Sequence, residues 1–255
     1  MCYDIKTSLE KQLRRALLDG SKADAQEIAE KLKIFTKEDI ELHHASGFKH
    51  PQMFIYTQET PDTPTVATWG LVPEWVADKE SIWNKTLNAR GETIFEKASF
   101  RDSATNKRCL IYLEGFYEHH HKNGKTYPYF IKHKEKDLFA VAGLWSEWQN
   151  ELGELLKTFS IVTTKGNLLM ADIHNNPKLP EPRMPLILTA DMESQWLDGK
   201  LAQNNIEKLI KPLAWDKLVA HTVGPIKGKK ASGNVPQASL EVNYAELQVS
   251  QLGLF

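Results

Sequence analysis

Cys109-Leu110-Ile111-Tyr112-Leu113-Glu114-Gly115-Phe116-Tyr117-Glu118 is the stretch that decides the fold class. An apolar run of strand length, flanked by carboxylates, reads as a buried β-strand running into a turn at Gly115. Segments of the same character recur on either side, so that strands are expected at 65–72, 108–113, 127–133, 138–145, 158–164 and 184–189. Asn123-Gly124 fits a hairpin turn, because both residues tolerate positive φ. Helical stretches interrupt this pattern near 191–199 and 203–211. The expectation is an α+β fold: a strand-dominated, curled or barrel-like sheet with flanking helices.

The N-terminal region has a different period. Thr7-Ser8-Leu9-Glu10 fits a capping box, with Glu10 three residues after the cap. Leu9, Leu13, Ala16 and Leu17 follow helical spacing until Gly20, and Ser21 can cap a second helix with Ala25, Ile28, Ala29 and Leu32 on its apolar face. Residues 7–33 therefore read as an inserted helical hairpin. One domain is expected over 1–224, followed by a loosely ordered tail, 225–255, that is rich in Gly, Lys, Ser and Asn at first. No internal repeat is visible.

Composition narrows the function classes. Lys plus Arg number 32 and Asp plus Glu 33, for a net charge of −1, so global charge gives no support to nucleic-acid binding and any such binding needs a local basic groove. No apolar run is long enough to span a membrane, and no signal peptide is recognisable. The two cysteines, Cys2 and Cys109, make neither a disulfide framework nor a CxxC metal motif. A reducing cytoplasm is the expected compartment, with no cofactor or metal.

Several polar residues interrupt the apolar pattern. If Met1 is removed, Cys2 carries an α-amine and a thiol on adjacent carbons. The amine has a reference pKa of about 8, so part of it is neutral at pH 7 and can attack an aldehyde. The thiol can then close a five-membered thiazolidine, which a cysteine inside the chain cannot do. Asn88-Ala89-Arg90 offers a hydrogen-bonding amide and a guanidinium fork suited to phosphate. Glu118, at a strand end, suits a general acid or base if partly buried. His119-His120-His121 reads as solvated turn histidines, because neighbouring strand residues face opposite ways and cannot converge on a metal. His174 can shuttle protons near neutral pH, and Arg183 leads into a buried strand. Cys109 reads as a plain core cysteine.

Taken in order, Met1-Cys2, Trp69-Gly70-Leu71-Val72-Pro73, Asn88-Ala89-Arg90 with Glu92-Thr93, Gly115-Phe116-Tyr117-Glu118, Pro128-Tyr129-Phe130, Ala142-Gly143-Leu144-Trp145, Thr163-Thr164 with Asn167, Ile173-His174 and Arg183-Met184-Pro185 resemble the SRAP family of SOS-response-associated, abasic-site-processing proteins. The resemblance covers residues 1–190. It implies a covalent thiazolidine between Cys2 and the aldehyde of an abasic site in single-stranded DNA. Carried over, Cys2 is the nucleophile, Asn88 positions its amine or the opened sugar, Glu118 is general acid or base, and His174 assists ring opening or reversal. Arg90 and Arg183 would hold phosphates, and Trp69 and Trp75 would stack on bases or wedge beside the lesion. Such a protein would act as a nucleoid-associated monomer, with some lyase activity by β-elimination and a peptidase activity in Met1 removal.

Three features depart from the family pattern. Tyr3-Asp4 stand where members often continue Gly-Arg, so a basic contact is replaced by an acid. His119 stands where Trp is common, and the segment between His174 and Arg183 is long. At the other end, Gln251-Leu252-Gly253-Leu254-Phe255 resembles the peptide by which bacterial proteins dock on the DNA polymerase sliding clamp. Gln251 would supply an oriented hydrogen bond, while Leu252, Leu254 and Phe255 fill an apolar pocket. Two other functions use the same residues: an N-terminal-nucleophile cysteine hydrolase or autoprotease, and a non-catalytic, clamp-tethered DNA-binding module.

Overall fold

The structure, a computed structural model, describes residues 2–12, 26, 29, 30, 33, 41–61 and 63–248. Its strands are β1 (Asp4–Ser8), β2 (Glu41–Ser46), β3 (Gln52–Thr57), β4 (Thr65–Trp69), β5 (Asn88–Arg90), β6 (Arg108–Leu113), β7 (Gly115–Lys122), β8 (Lys125–His133), β9 (Phe139–Gln149), β10 (Leu155–Lys165), β11 (Arg183–Pro185), β12 (Ile187–Leu188) and β13 (Leu218–Thr222). Pairing runs β10-β4-β3-β6-β9 and returns from β9 to β10, closing a five-stranded barrel. The β4–β10 pairing is parallel; the others in the ring are antiparallel. A second, antiparallel sheet has the order β13-β8-β7-β1-β2. This is the strand-dominated, barrel-like α+β architecture expected from the sequence.

The unbroken apolar run of β6 has a physical cause: both of its faces are buried. Cys109, Ile111 and Leu113 join the main core with Val141, Phe159 and Ile161, and Cys2, Ile5, Phe116 and Ile131 of the second sheet pack into the same core. Leu110 and Tyr112 alternate to a second cluster, covered by Trp196, Ile206 and Leu209 from helices Ala190–Leu197 and Gln203–Leu209. Arg108 is fully buried and donates to the carbonyls of Ala104, Thr105, Trp196 and Asp198, tying the helices Arg101–Asn106 and Ala190–Leu197 to the barrel.

Gly115 lies at a change of sheet rather than at a hairpin turn: β6 belongs to the barrel and β7 to the second sheet. A Cβ there would come within 2.3 Å of the Phe130 ring and 2.6 Å of the Ile131 carbonyl, so the crossing requires glycine. Asn123 and Gly124 take φ of 51° and 74°, the tight turn expected, and join β7 to β8.

The expected 7–33 hairpin begins differently. Thr7 and Ser8 finish β1, and Thr7 Oγ1 donates to the Tyr112 carbonyl at 2.7 Å instead of capping a helix. The cap moves one residue on: Ser8 Oγ accepts from Lys11 N at 3.3 Å. Most of the hairpin lies outside the described residues. So do Gln251, Leu252, Leu254 and Phe255. The segment 225–248, expected to be loose, is tied to the domain. Ile226 and Ala238 are buried, and Asn234 bonds Glu41 O and His44 N. Lys6 bonds Ser239, and Glu246 pairs with Lys125. No helix among the described residues is long and apolar enough to cross a membrane.

Candidate active site

The N-terminus reaches the site by strand pairing. β1 runs antiparallel to β7 with Asp4 opposite Tyr117, and continuing that register brings Tyr3 opposite Glu118. Cys2 is fully buried and belongs to the main core. Burial pushes its thiol well above the ordinary value, and the nearby Glu118 charge pushes it further. The Sγ lies 4.0 Å from the Asp4 carbonyl.

His174 reaches the same place by capping the C-terminus of the helix Leu168–Ile173. That helix starts at Asn167, whose side chain accepts from Met170 N at 3.0 Å. The next residue, Asn175, completes the alignment. Its amide accepts from His121 N at 2.6 Å and donates to His121 O at 3.0 Å, pairing with β7 as a strand residue would. His174 Nε2 thereby lies 3.8 Å from Glu118 Oε2. On the other side of the ring, the Arg183 N–H lies 3.1 Å and the Arg183 carbonyl 3.0 Å from Nδ1. The ring thus meets a donor and an acceptor at one nitrogen, which suits a group that gains and loses a proton.

Electrostatics divide the pair. Burial lifts Glu118 to about 7, with Asp4 adding to the rise and the amino-terminal charge opposing it. Burial, then the amino-terminal charge, lowers His174 to about 4. Near neutral pH a carboxyl group that exchanges its proton therefore faces a neutral imidazole. Both line a cavity of about 460 Å³, together with Tyr3, Asp4, His119 and Lys227. Asp4 is buried. Burial alone would raise its pKa, but hydrogen bonds from His44 (3.0 Å) and Lys227 (2.7 Å) and the charge of Lys227 bring it below the ordinary value.

Asn88 is buried on β5, opposite Ile161 of β10. Among the described residues neither atom of its amide finds a hydrogen-bond partner, which leaves a donor and an acceptor open. Arg90, two residues on, is exposed, and its charge acts on Tyr3.

Other expectations are corrected. Trp69 is fully buried, stacks on Phe159 with centroids 6.2 Å apart, and donates its indole N–H to Leu87 O at 2.8 Å. It has no face to offer a base. Arg183 is also buried. It holds Glu92 through two parallel bonds of 2.8 and 2.9 Å, and its remaining bonds go to Glu181 and Thr163, so it joins structural elements instead of meeting a phosphate. Trp75 is 61% exposed but lines a separate groove with Glu74, Ser99 and Lys107. The three histidines lie in β7, not in a turn. His119 is lowered to about 4 by burial and then by the Lys227 charge. Sequence reasoning missed His44 and Lys227; neither sits in a motif, and only folding brings them to Asp4.

Comparison with known proteins fits this geometry. YoqW of Bacillus subtilis (strain 168), named an abasic site processing protein, is 42% identical over 160 residues, covering 62% of this chain and 68% of its own length. HMCES of Mus musculus, with the same designation, is 32% identical over 200 residues, covering 66% of this chain and 54% of its own length. A crystal structure of a protein from Bacteroides thetaiotaomicron superposes with a TM-score of 0.81 at 32% identity, covering 95% of this chain and all of that one. A Bordetella bronchiseptica structure, at 21% identity and a TM-score of 0.68, shares the fold. The profile described as SOS response associated peptidase (SRAP) matches residues 1–227, and the chain belongs to the SRAP family.

Proposed function

We propose that the chain processes abasic sites in single-stranded DNA by capturing their ring-opened aldehyde on Cys2 once Met1 has been removed. The observation that carries this reading is the pair behind Cys2: Glu118, held at about 7, beside His174 at 3.8 Å. The names of the relatives, abasic site processing proteins, support it.

The neutral Cys2 amine adds to the aldehyde carbon, forming a C–N bond. Glu118 in its acid form protonates the resulting hydroxyl, which leaves as water and gives the Schiff base. The Schiff base nitrogen keeps its proton at this stage. The Cys2 sulfur then adds to its carbon, closing the thiazolidine, and the thiol proton passes to the Glu118 carboxylate, restoring its acid form with His174 as its partner. One aldehyde and one aminothiol thus yield one thiazolidine and one water, without oxidant or metal. The raised thiol pKa suits this order, because the sulfur remains protonated until the imine is in place. Asn88, with an open donor and acceptor, suits the sugar hydroxyls, and Arg90 suits a flanking phosphate. Gln251, Leu252, Leu254 and Phe255 would bring the protein to a bacterial sliding clamp.

An N-terminal hydrolase would draw on the same three residues, but it would release product rather than retain DNA. Incubation with single-stranded DNA containing one abasic site, followed by denaturing electrophoresis, separates these readings. A heat-resistant shifted band that vanishes in Cys2→Ala is expected. Absence of that band with protein whose Met1 has been removed overturns the proposal.

A further inference from the structure

We propose that Lys227 is a phosphate-binding residue of the cavity and that Asp4 restrains it by competing for its ammonium group. The proposal rests on the DNA-binding reading above and identifies how the cavity meets a polyanion. Among the described residues lining the cavity, Lys227 is the only lysine or arginine, whereas Asp4 and Glu118 are both carboxylic acids. A phosphodiester entering there shares the cavity with two carboxyl groups, and Lys227 is the lining residue whose positive charge can offset them.

Three observations indicate that the lysine can be lent to a ligand. Its side chain is 51% exposed, while the Asp4 carboxylate it touches at 2.7 Å is 3% exposed. Asp4 has a second partner, His44 Nε2, 3.0 Å from its other oxygen. Departure of Lys227 therefore leaves the buried carboxylate with a hydrogen bond and avoids the heavy cost of orphaning it. The backbone, finally, is anchored on both sides of the lysine. Ile226 is buried, and Asn234 bonds Glu41 O and His44 N on β2. The ammonium can swing on its flexible stem while its Cα remains in place.

A single strand carrying a tetrahydrofuran abasic analogue lacks the aldehyde, so its equilibrium binding can be measured against KCl concentration without crosslinking. Loss of one phosphate contact in Lys227→Gln is expected to weaken binding and flatten the slope of log K against log salt by about 0.7. Lys227→Arg should retain the slope. Asp4→Asn should tighten binding by releasing the lysine, and the double variant should behave as Lys227→Gln. Thermal unfolding of each variant is recorded in parallel. A lysine that only straps the 225–248 segment would give a different result: Asp4→Asn and Lys227→Gln would both lower the melting temperature, neither would tighten binding, and the salt slope would not change. That result overturns the proposal. Wild-type protein that crosslinks natural abasic DNA, with a salt slope equal to that of Lys227→Gln, overturns this inference alone. Wild-type binding without any crosslink overturns the capture chemistry and leaves the role of Lys227 standing. Failure of the wild-type chain to bind either strand overturns both.

Discussion

Glu118 and Glu92 each stand within reach of a basic side chain, and folding takes them in opposite directions. Glu92 is gripped by both terminal nitrogens of Arg183, and although burial alone would raise it, those hydrogen bonds and charges lower its pKa. Glu118 has a neutral imidazole at 3.8 Å in place of a guanidinium, and burial raises it to about 7. A fully charged, bidentate pair makes a clamp between β11, β10 and the turn after β5. A buried carboxyl whose desolvation outweighs the charges acting on it suits a proton donor. The difference shows that closeness of acid and base does not create reactivity. A shifted, exchangeable proton is expected where the cost of burial outweighs its compensation.

The largest effect should come from removing the titrating carboxyl. Glu118→Gln preserves shape but cannot exchange a proton, and the initial rate of crosslinking to abasic single-stranded DNA should fall roughly 10²- to 10⁴-fold. Circular dichroism should be unchanged. A rate within threefold of wild type would remove Glu118 from proton transfer.

Breaking the other carboxylate's partner should act on stability instead. Arg183→Ala should cost roughly 2–4 kcal/mol in urea unfolding, less than for a fully buried pair because Glu92 is 36% exposed. Its effect on crosslinking should track the folded fraction. A stable variant with lost activity would place Arg183 in the chemistry after all.

The smallest and most diagnostic effect is on pH dependence. Glu118 is raised from 4.5 to about 7, so its contribution to stability is fully present below pH 4.5 and is lost as pH rises toward 7. His174 is lowered from 6.5 to about 4, so its contribution is present above pH 6.5 and is lost as pH falls toward 4. The two oppose each other between pH 4.5 and 6.5. In that window the stability of Glu118→Gln should rise more steeply with pH than wild type, and that of His174→Asn should fall relative to wild type. Parallel curves for all three proteins would mean that neither group titrates as described.

The local signals in the chain were sufficient for the architecture. Apolar runs of strand length announced β4, β6, β8, β9 and β10, and Asn123-Gly124 announced the β7–β8 turn. The segments missed were β3 and β5 of the barrel sheet and β1, β2, β7 and β13, which lie in the second sheet, where only one face meets the main core and the apolar pattern is diluted. Lys6 and His44 interrupt it there. In the site, Cys2, Glu118 and His174 could be named from their residue types and order. Their approach could not, because it depends on β1 pairing with β7 and on Asn175 fastening the His174 segment to that strand.

The sequence by itself determined that the chain is strand-rich and that its most apolar run has the length of a strand, and it offered a cysteine at position 2, a carboxylate and a histidine as candidates for chemistry. Periodicity and turn propensity carry that information because they act between residues close together in the chain. Tertiary structure alone decided which polar groups are consumed and which remain open. Arg183 meets Glu92 from 91 residues away and is spent on holding the fold together. Trp69 disappears beneath Gly47 against Phe159. Asp4 acquires His44 and Lys227 and is lowered, while burial holds Glu118 well above the ordinary carboxylate range. Burial and pairing set a group's charge, and both depend on neighbours that only the completed fold supplies.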